Sequence, residues 1–313
     1  MLITDVSVLD VLAKPEYAKY HEHGKEIINN IEDMMIQYGS VSDCVEFAKV
    51  VDELGMDTSR LQQKVMESKN VFYCVQFARL IKSADKKALE ELVAESKNVR
   101  FCTFFASAIE GTDIARMDDI VFENGNAEEL AMFATKVEGA NVKRIVDKLV
   151  EGKHYHMICR MARDLDKEDS DYIQNIILST NNADYCYFFA CHSSNPDVEK
   201  LQQVILNSKN AELCYEFARD IKGANVQRLG KVVFESRNPE LCESFAEYVD
   251  GADKKFFQKA ARLIRKEINA KQKAEEKRLR QQLKAEEKAE KEAEKQAENE
   301  AETEDETEEE KTL

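Results

Sequence analysis

Two stretches of the chain bring histidine and cysteine close together. The first is His154-Tyr155-His156-Met157-Ile158-Cys159, and the second is Cys191-His192. Thiolate and imidazole groups bind zinc when four of them converge on one tetrahedral point. These spacings match no zinc signature, and Cys159 and Cys191 are expected on helices about 10 Å apart. We therefore predict no metal site and no cofactor. The weak candidates for metal ligands are the residues of these two stretches: His154, His156, Cys159, Cys191 and His192.

Motifs that would indicate catalysis are missing from the sequence. There is no glycine-rich phosphate loop, no HExxH pair and no GxSxG nucleophile turn. Carboxylates are abundant but recur with a regular period, so no acid and base pair stands apart from the rest. The sequence therefore predicts a protein that is not an enzyme.

Most of the cysteines occupy one recurring position, three residues before a Phe-Ala pair. The six are Cys44, Cys74, Cys102, Cys186, Cys214 and Cys242. A cysteine that recurs at one helical position is expected to act as a small buried hydrophobic residue. Free buried thiols require a reducing compartment, which favours the cytoplasm.

A tandem repeat organises residues 41–264. It is marked by Phe47-Ala48, Phe77-Ala78, Phe105-Ala106, Phe133-Ala134, Met161-Ala162, Phe189-Ala190, Phe217-Ala218 and Phe245-Ala246. The first interval is 30 residues and the others are 28. A fixed period of this length is typical of solenoid proteins.

Each repeat is predicted to form two short helices. In the seventh, Cys214, Phe217, Ala218 and Ile221 lie at i, i+3, i+4 and i+7, which is one apolar stripe of a helix. Asparagines such as Asn210 stand where a helix N-cap is expected, and Gly223 stands near the helix end. Helices of about ten residues are marginal alone, so the repeats must stack.

The predicted fold is therefore all-α: a right-handed α-solenoid of about eight two-helix repeats, followed by an extended charged helix. We expect an N-terminal helical cap over residues 1–40, the solenoid over 41–264 and a charged helical tail over 265–297. Residues 298–313 are almost wholly acidic and are expected to be disordered.

The phrase Glu216-Phe-Ala-Arg-Asp-Ile-Lys-Gly-Ala-Asn225 is similar to tandem repeats of uncharacterised bacterial and phage proteins. The whole arrangement resembles a compact HEAT-like α-solenoid over residues 40–264. The resemblance implies a stacked helical fold and carries no activity and no functional residues.

The net charge of the chain argues against two classes of partner. Its formal net charge is −16, which argues against nucleic acid and against an anionic membrane surface. The first residues lack the basic and apolar segments of a signal peptide, and no stretch approaches the length of a membrane span. We expect a soluble cytoplasmic protein whose oligomeric state the sequence leaves open.

Two outward rows of the repeat are candidate binding surfaces. On the first helices, one row contains Phe104, Met132 and Phe188, residue types that suit a hot spot for a partner. Isolated exposed apolar residues are also common without any partner. On the second helices, Glu91, Asp119 and Asp147 predict a negative stripe that could receive a basic segment, although a solvated polar face is the simpler interpretation.

The sequence favours a non-enzymatic scaffold that binds a protein or peptide. The alternatives are a nucleic-acid-binding or nucleic-acid-modifying helical-repeat protein and a self-assembling structural component.

Charged residues also recur from repeat to repeat, and we interpret them as a ladder of ion pairs between repeats. This predicted ladder pairs the arginines Arg60, Arg116, Arg144 and Arg228 with the glutamates Glu67, Glu95, Glu123, Glu151 and Glu235.

Overall fold

Every repeat folds into two α-helices, which we name the A helix and the B helix in chain order. The computed structural model describes residues 21–309, with side chains for 24–289 and 291; within this range it contains only helices and no strand. The predicted all-α repeat architecture is confirmed. Residues 1–20 of the expected N-terminal cap and residues 310–313 of the expected acidic tail lie outside the described residues.

The chain divides into two units, Met1–Pro196 and Asp197–Leu313, and the boundary falls between the two helices of the sixth repeat. In unit 1 the helices are α1 His21–Tyr38, α2 Val41–Glu53, α3 Ser59–Glu67, α4 Val71–Leu80, α5 Lys86–Glu95, α6 Val99–Ala108, α7 Ile114–Asn124, α8 Ala127–Lys136, α9 Val142–Glu151, α10 Tyr155–Met161, α11 Lys167–Ser179 and α12 Ala183–His192. In unit 2 they are α13 Val198–Ser208, α14 Ala211–Asp220, α15 Val226–Glu235, α16 Pro239–Tyr248 and α17 Lys254–Glu309.

The A helices of unit 1 form one layer, in which α2, α4, α6, α8, α10 and α12 each pack against the next. The predicted stripe faces the core: Phe105, Phe133 and Phe189 are fully buried, and Met161 replaces the phenylalanine in the fifth repeat. The recurring cysteines are buried free thiols, as expected. Several of these thiols donate to a carbonyl nine residues earlier, as Cys102 does to Val93 at 3.7 Å. The stripe therefore joins each repeat to the one before it.

Capping residues fix where the helices begin. The side chains of Asn98, Asn126 and Asn182 accept backbone N–H groups of the first turn, which confirms the predicted N-caps. Asn70 is the exception, because its side chain makes no cap hydrogen bond. The glycine of the turn between the A and B helices is left-handed, with φ of +83° at Gly139.

The C-terminal helix is longer than predicted. The helix α17 begins as the B helix of the eighth repeat and continues without a break to Glu309. Residues 298–309 were expected to be disordered but are helical in this structure. Alanine and glutamate have high helix propensity, which composition-based reasoning about acidic segments does not weigh. No helix in the described part of the chain is long and apolar enough to cross a membrane.

Candidate partner-binding face

The exposed side of the A helices of unit 1, called the A face, carries the predicted apolar row. Phe104 on α6 and Met132 on α8 are 39% and 37% exposed, and Phe188 on α12 is half-buried. Arg160 on α10 occupies the same register between Met132 and Phe188. Because α6, α8, α10 and α12 are packed in sequence, these four side chains form one row across neighbouring helices. The four positions therefore follow one another across adjacent A helices of unit 1.

One end of the row is an aromatic cluster between α10 and α12. The His156 ring lies edge-on to Phe188, with centroids 5.0 Å apart, and the Phe188 ring is 4.1 Å from that of His192. Tyr155 and Tyr185 stack at 4.9 Å. His192 is held by a contact of 2.8 Å between its Nδ1 atom and the Phe188 carbonyl oxygen. The rings fix one another in place, so this end of the row presents a preorganised aromatic surface.

A shallow groove of about 410 Å³ lies between α8 and α10, at the middle of the row. Met132, Thr135, Met157 and Arg160 line it. Arg163, also at the rim, is paired with Asp164 at 3.3 Å. Arg160 has no ion-pair partner within the described range, and its side chain is exposed. The groove therefore combines flexible thioether side chains with an available guanidinium group.

At the other end of the row, the Arg79 guanidinium lies 5.9 Å from the centre of the Phe104 ring. This geometry is a cation–π contact, and it leaves the Phe104 ring partly open to solvent. The same side of unit 1 carries Phe72 on α4, whose ring centre is 6.4 Å from that of Phe101. Aromatic groups thus occur on the A face from α4 to α12.

The exposed side of the B helices of unit 1, called the B face, is a ladder of charge pairs. Glu91 accepts two hydrogen bonds from Arg116, at 2.6 and 2.7 Å, and Asp119 accepts one from Arg144 at 2.6 Å. Asp147 accepts the Tyr172 hydroxyl at 2.6 Å, which raises the tyrosine pKa to about 12. The Arg116 hydrogen bonds lower the pKa of Glu91. Each predicted stripe acid is therefore already paired with the following repeat.

This pairing also corrects the predicted partners of the arginines. Arg60, Arg116 and Arg144 do bridge successive repeats, but their partners are not the recurring Glu67, Glu95 and Glu123. Arg60 pairs with Glu32 and Asp33 on α1, whereas Arg116 and Arg144 pair with Glu91, Asp118 and Asp119 on the preceding B helix. The prediction that these arginines bridge neighbouring helices was correct, whereas the carboxylates predicted to be their partners were not.

The five predicted metal-ligand candidates do not converge. Cys159 is buried and donates its S–H to the Tyr185 carbonyl at 3.7 Å, and burial raises its pKa to about 12. Cys191 is exposed. His156 and His192 both contact Phe188 rather than a common ligand position, and His154 lies at the N-cap of α10. Among the described residues, no group of three or more His, Cys, Asp or Glu side chains could hold a metal ion.

No family model, no curated protein and no solved structure matches this chain. The resemblance to bacterial and phage repeats therefore stays a prediction. The assignment of function depends on the geometry of the two faces.

A buried polar contact that was not predicted from the sequence links successive B helices. Gln62, Glu90 and Asp118 each accept the backbone N–H of the N-cap residue 23 positions later, at 2.9, 3.0 and 3.3 Å. Gln202 does the same for Asn225 in unit 2, at 2.6 Å. These four side chains each directly follow a buried Leu or Met of their B helix, so a polar residue recurring at that position was the signal.

The first member of this series is incomplete. Glu32 on α1 is buried and pairs with Arg60 through Oε2 at 3.1 Å, but its Oε1 has no hydrogen-bond partner in the described structure. Burial raises the pKa of this carboxyl although Arg60 opposes the effect. The first repeat is also two residues longer than the others.

Proposed function

We propose that this protein is a non-enzymatic binding scaffold that holds a protein or peptide segment on the A face of unit 1. The observation that carries the proposal is the row Phe104, Met132, Arg160 and Phe188 on four successive packed helices. Aromatic, methionine and arginine side chains are enriched in interface hot spots. On the B face, by contrast, the predicted stripe acids Glu91 and Asp119 are paired between repeats.

The spacing of the row favours an amphipathic helical segment as the partner. Packed helices lie about 8–10 Å apart, so successive side chains of the row recur at about that interval. Seven residues of an α-helix span about 10.5 Å. A partner helix lying across the A helices would place apolar residues at i, i+7 and i+21, with a carboxylate at i+14 opposite Arg160. The eight free thiols support a reducing, cytoplasmic location for this scaffold.

The nucleic-acid alternative has less support on the stacked repeats. Phosphate binding requires a basic surface, and Arg60, Arg116 and Arg144 of the B face are paired with carboxylates of the preceding helix of their layer. The A face mixes Arg160 with apolar and aromatic groups and has no basic stripe. A weak dependence of partner affinity on salt is therefore expected.

The proposal is tested with a displayed library of helical peptides selected against the full chain. The selected peptides are then measured by fluorescence anisotropy. Replacing Phe104, Met132 and Phe188 together by Ser is expected to weaken binding at least about 30-fold, the equivalent of about 2 kcal/mol for one hot spot. The matched control replaces Glu91, Asp119 and Asp147 by Ser and should leave the affinity within about twofold, since these residues lie on the other face.

The same two variants serve in a pull-down from nuclease-treated lysate. A native partner retained by the wild-type chain and by the B-face variant, but lost by the A-face variant, would support the proposal. Equal retention by all three proteins would exclude the A face as the binding site. Circular dichroism of each variant checks that the stack remains folded.

A further inference from the structure

The helix α17 divides into two halves of opposite charge. Residues 254–284 contain twelve Lys or Arg and three Glu, whereas residues 285–309 contain thirteen Asp or Glu and three Lys. The first half therefore has a net charge of +9 and the second a net charge of −10. In a chain whose net charge is −16, this concentration of positive charge is a distinct feature.

The basic half is not neutralised by the rest of the described chain. Arg265 pairs with Glu240 and Glu243 of α16, at 3.1 and 2.8 Å. By contrast, Lys271, Lys273, Lys277 and Arg280 are exposed and have no ion pair within the described residues. The acidic half cannot reach them within the same chain, because the helix is continuous and the centres of its halves are about 42 Å apart.

The midpoint of α17 falls between Gln281 and Gln282, where the charge changes sign. The only large apolar residues of the helix beyond Ile268 are Leu279 and Leu283, which flank this midpoint and are 57% and 51% exposed. A two-fold axis near residue 281 would place Leu279 of one copy against Leu283 of another. The same axis would place each basic half beside an acidic half.

We infer that α17 is a self-recognition helix that pairs antiparallel with α17 of a second copy of this chain. A parallel pair would place like charges together, whereas the antiparallel pair is complementary along its whole length. The pairing also compensates for an unfavourable interaction between the acidic half and the dipole of its own helix. Acidic residues at the C-terminal end of a helix oppose the helix dipole, and a neighbouring basic half compensates for them.

A second copy fits the helix better than a polyanion does. A nucleic acid or an anionic membrane could contact the basic half, but the acidic half would repel it. Only a partner with the reversed order of charge satisfies both halves, and this chain itself has that order. A symmetric contact of this kind closes at two copies.

Sedimentation equilibrium of the full chain tests the inference. We expect dimers at 50 mM NaCl and at least about tenfold weaker association at 500 mM NaCl, because salt screens exposed charges. The first variant carries Lys271→Glu, Lys273→Glu, Lys277→Glu and Arg280→Glu. The second carries Glu286→Lys, Glu287→Lys, Glu290→Lys and Glu294→Lys. Each variant alone should be monomeric, and a 1:1 mixture should form a heterodimer because both pairs of halves are again complementary.

A matched control has the same change in net charge as the first variant but leaves α17 intact: Lys82→Glu, Lys87→Glu, Lys136→Glu and Lys222→Glu. It should dimerise like the wild-type chain. A monomeric wild-type chain at 50 mM NaCl would overturn the inference, whether or not it binds a single-stranded DNA 20-mer. A mixture of the two α17 variants that fails to associate would also overturn it, with circular dichroism establishing that both are folded.

Cysteine crosslinking tests the orientation, in a Cys191→Ser background that removes the exposed native thiol. Gln281→Cys lies at the two-fold axis and should form a disulfide-linked dimer. Lys259→Cys should not, since an antiparallel pair separates the two copies of that position by about 66 Å along the helix. Crosslinking at both positions would indicate a parallel pair and contradict the inference.

Discussion

The A face and the B face of unit 1 belong to the same repeat, yet their exposed side chains have different relationships to neighbouring repeats. On the B face, acids such as Glu91 and Asp119 recur and are paired with a cation of the next B helix. On the A face, the corresponding row changes residue type from repeat to repeat and remains partly exposed. Recurrence with a partner indicates a contribution to stacking. Variation in residue type combined with partial exposure makes a surface a candidate for recognition.

The largest difference is expected between two adjacent residues of α8. Phe133 is fully buried and Met132 is 37% exposed. Phe133→Ala should cost about 3–5 kcal/mol of unfolding free energy, because it leaves a cavity in the stack. Met132→Ala should change it by only about 0.5 kcal/mol. Urea unfolding followed by circular dichroism measures both, and similar losses would mean that the A-face row is part of the core.

A smaller contrast is expected within the B layer, between the neighbours Asp118 and Asp119. Asp118 is buried and accepts the Asn141 N–H, so Asp118→Ala leaves this partly buried donor unpaired and should cost about 1–3 kcal/mol. Asp119 is an exposed partner of Arg144, and Asp119→Ala should cost about 0.5 kcal/mol or less. Equal effects in urea unfolding would show that the exposed ladder carries the interface between repeats.

The carboxyl groups of Asp118 and Glu91 should make the stability of the chain depend on pH in opposite directions. Burial raises the pKa of Asp118 above 3.8, so its contribution to stability is lost as pH rises from 3.8 through the folded-state value. Hydrogen bonds from Arg116 lower the pKa of Glu91 below 4.5, so its contribution is lost as pH falls through the folded-state value. With rising pH, the wild-type chain should lose stability relative to Asp118→Asn and gain it relative to Glu91→Gln. The midpoints of urea unfolding, measured for the three proteins from pH 3 to pH 7, give both differences in stability. If both differences changed in the same direction with pH, the expectation would be wrong.

The smallest effect is expected at another recurring position, the turn that follows six of the B helices. Its residues Lys69, Lys97, Lys153, Asn181, Lys209 and Arg237 all have positive φ, between +49° and +60°. Lys209→Gly should stabilise unit 2 by about 0.5 kcal/mol, since relief of the left-handed strain exceeds the entropy cost of glycine. The control Lys231→Gly, within α15, should destabilise it by about 1 kcal/mol. A loss at both positions in thermal unfolding would mean that the lysine itself is required in the turn.

The repeat, its helices and its core could be predicted from the sequence because they depend on local and periodic information. The stripe of Cys214, Phe217 and Ala218 defines one side of a helix wherever that helix lies, and Asn210 caps a helix through residues three positions away. Eight copies of one pattern allow the stacking positions to be separated from the variable ones. The buried contact from Gln62 to Asp85 was equally periodic and could have been predicted.

Only the tertiary structure decided which side chains meet across repeats. Periodicity places Arg116 on the outward side of α7, but the choice between Glu91 and Glu95 depends on how two helices are offset when they pack. The aromatic cluster likewise required α10 and α12 to become neighbours, which brought His156 to Phe188. The charge order of α17 was present in the sequence, whereas its continuity to Glu309 was not. A sequence determines the angle of each residue around its own helix, and packing determines what each residue contacts.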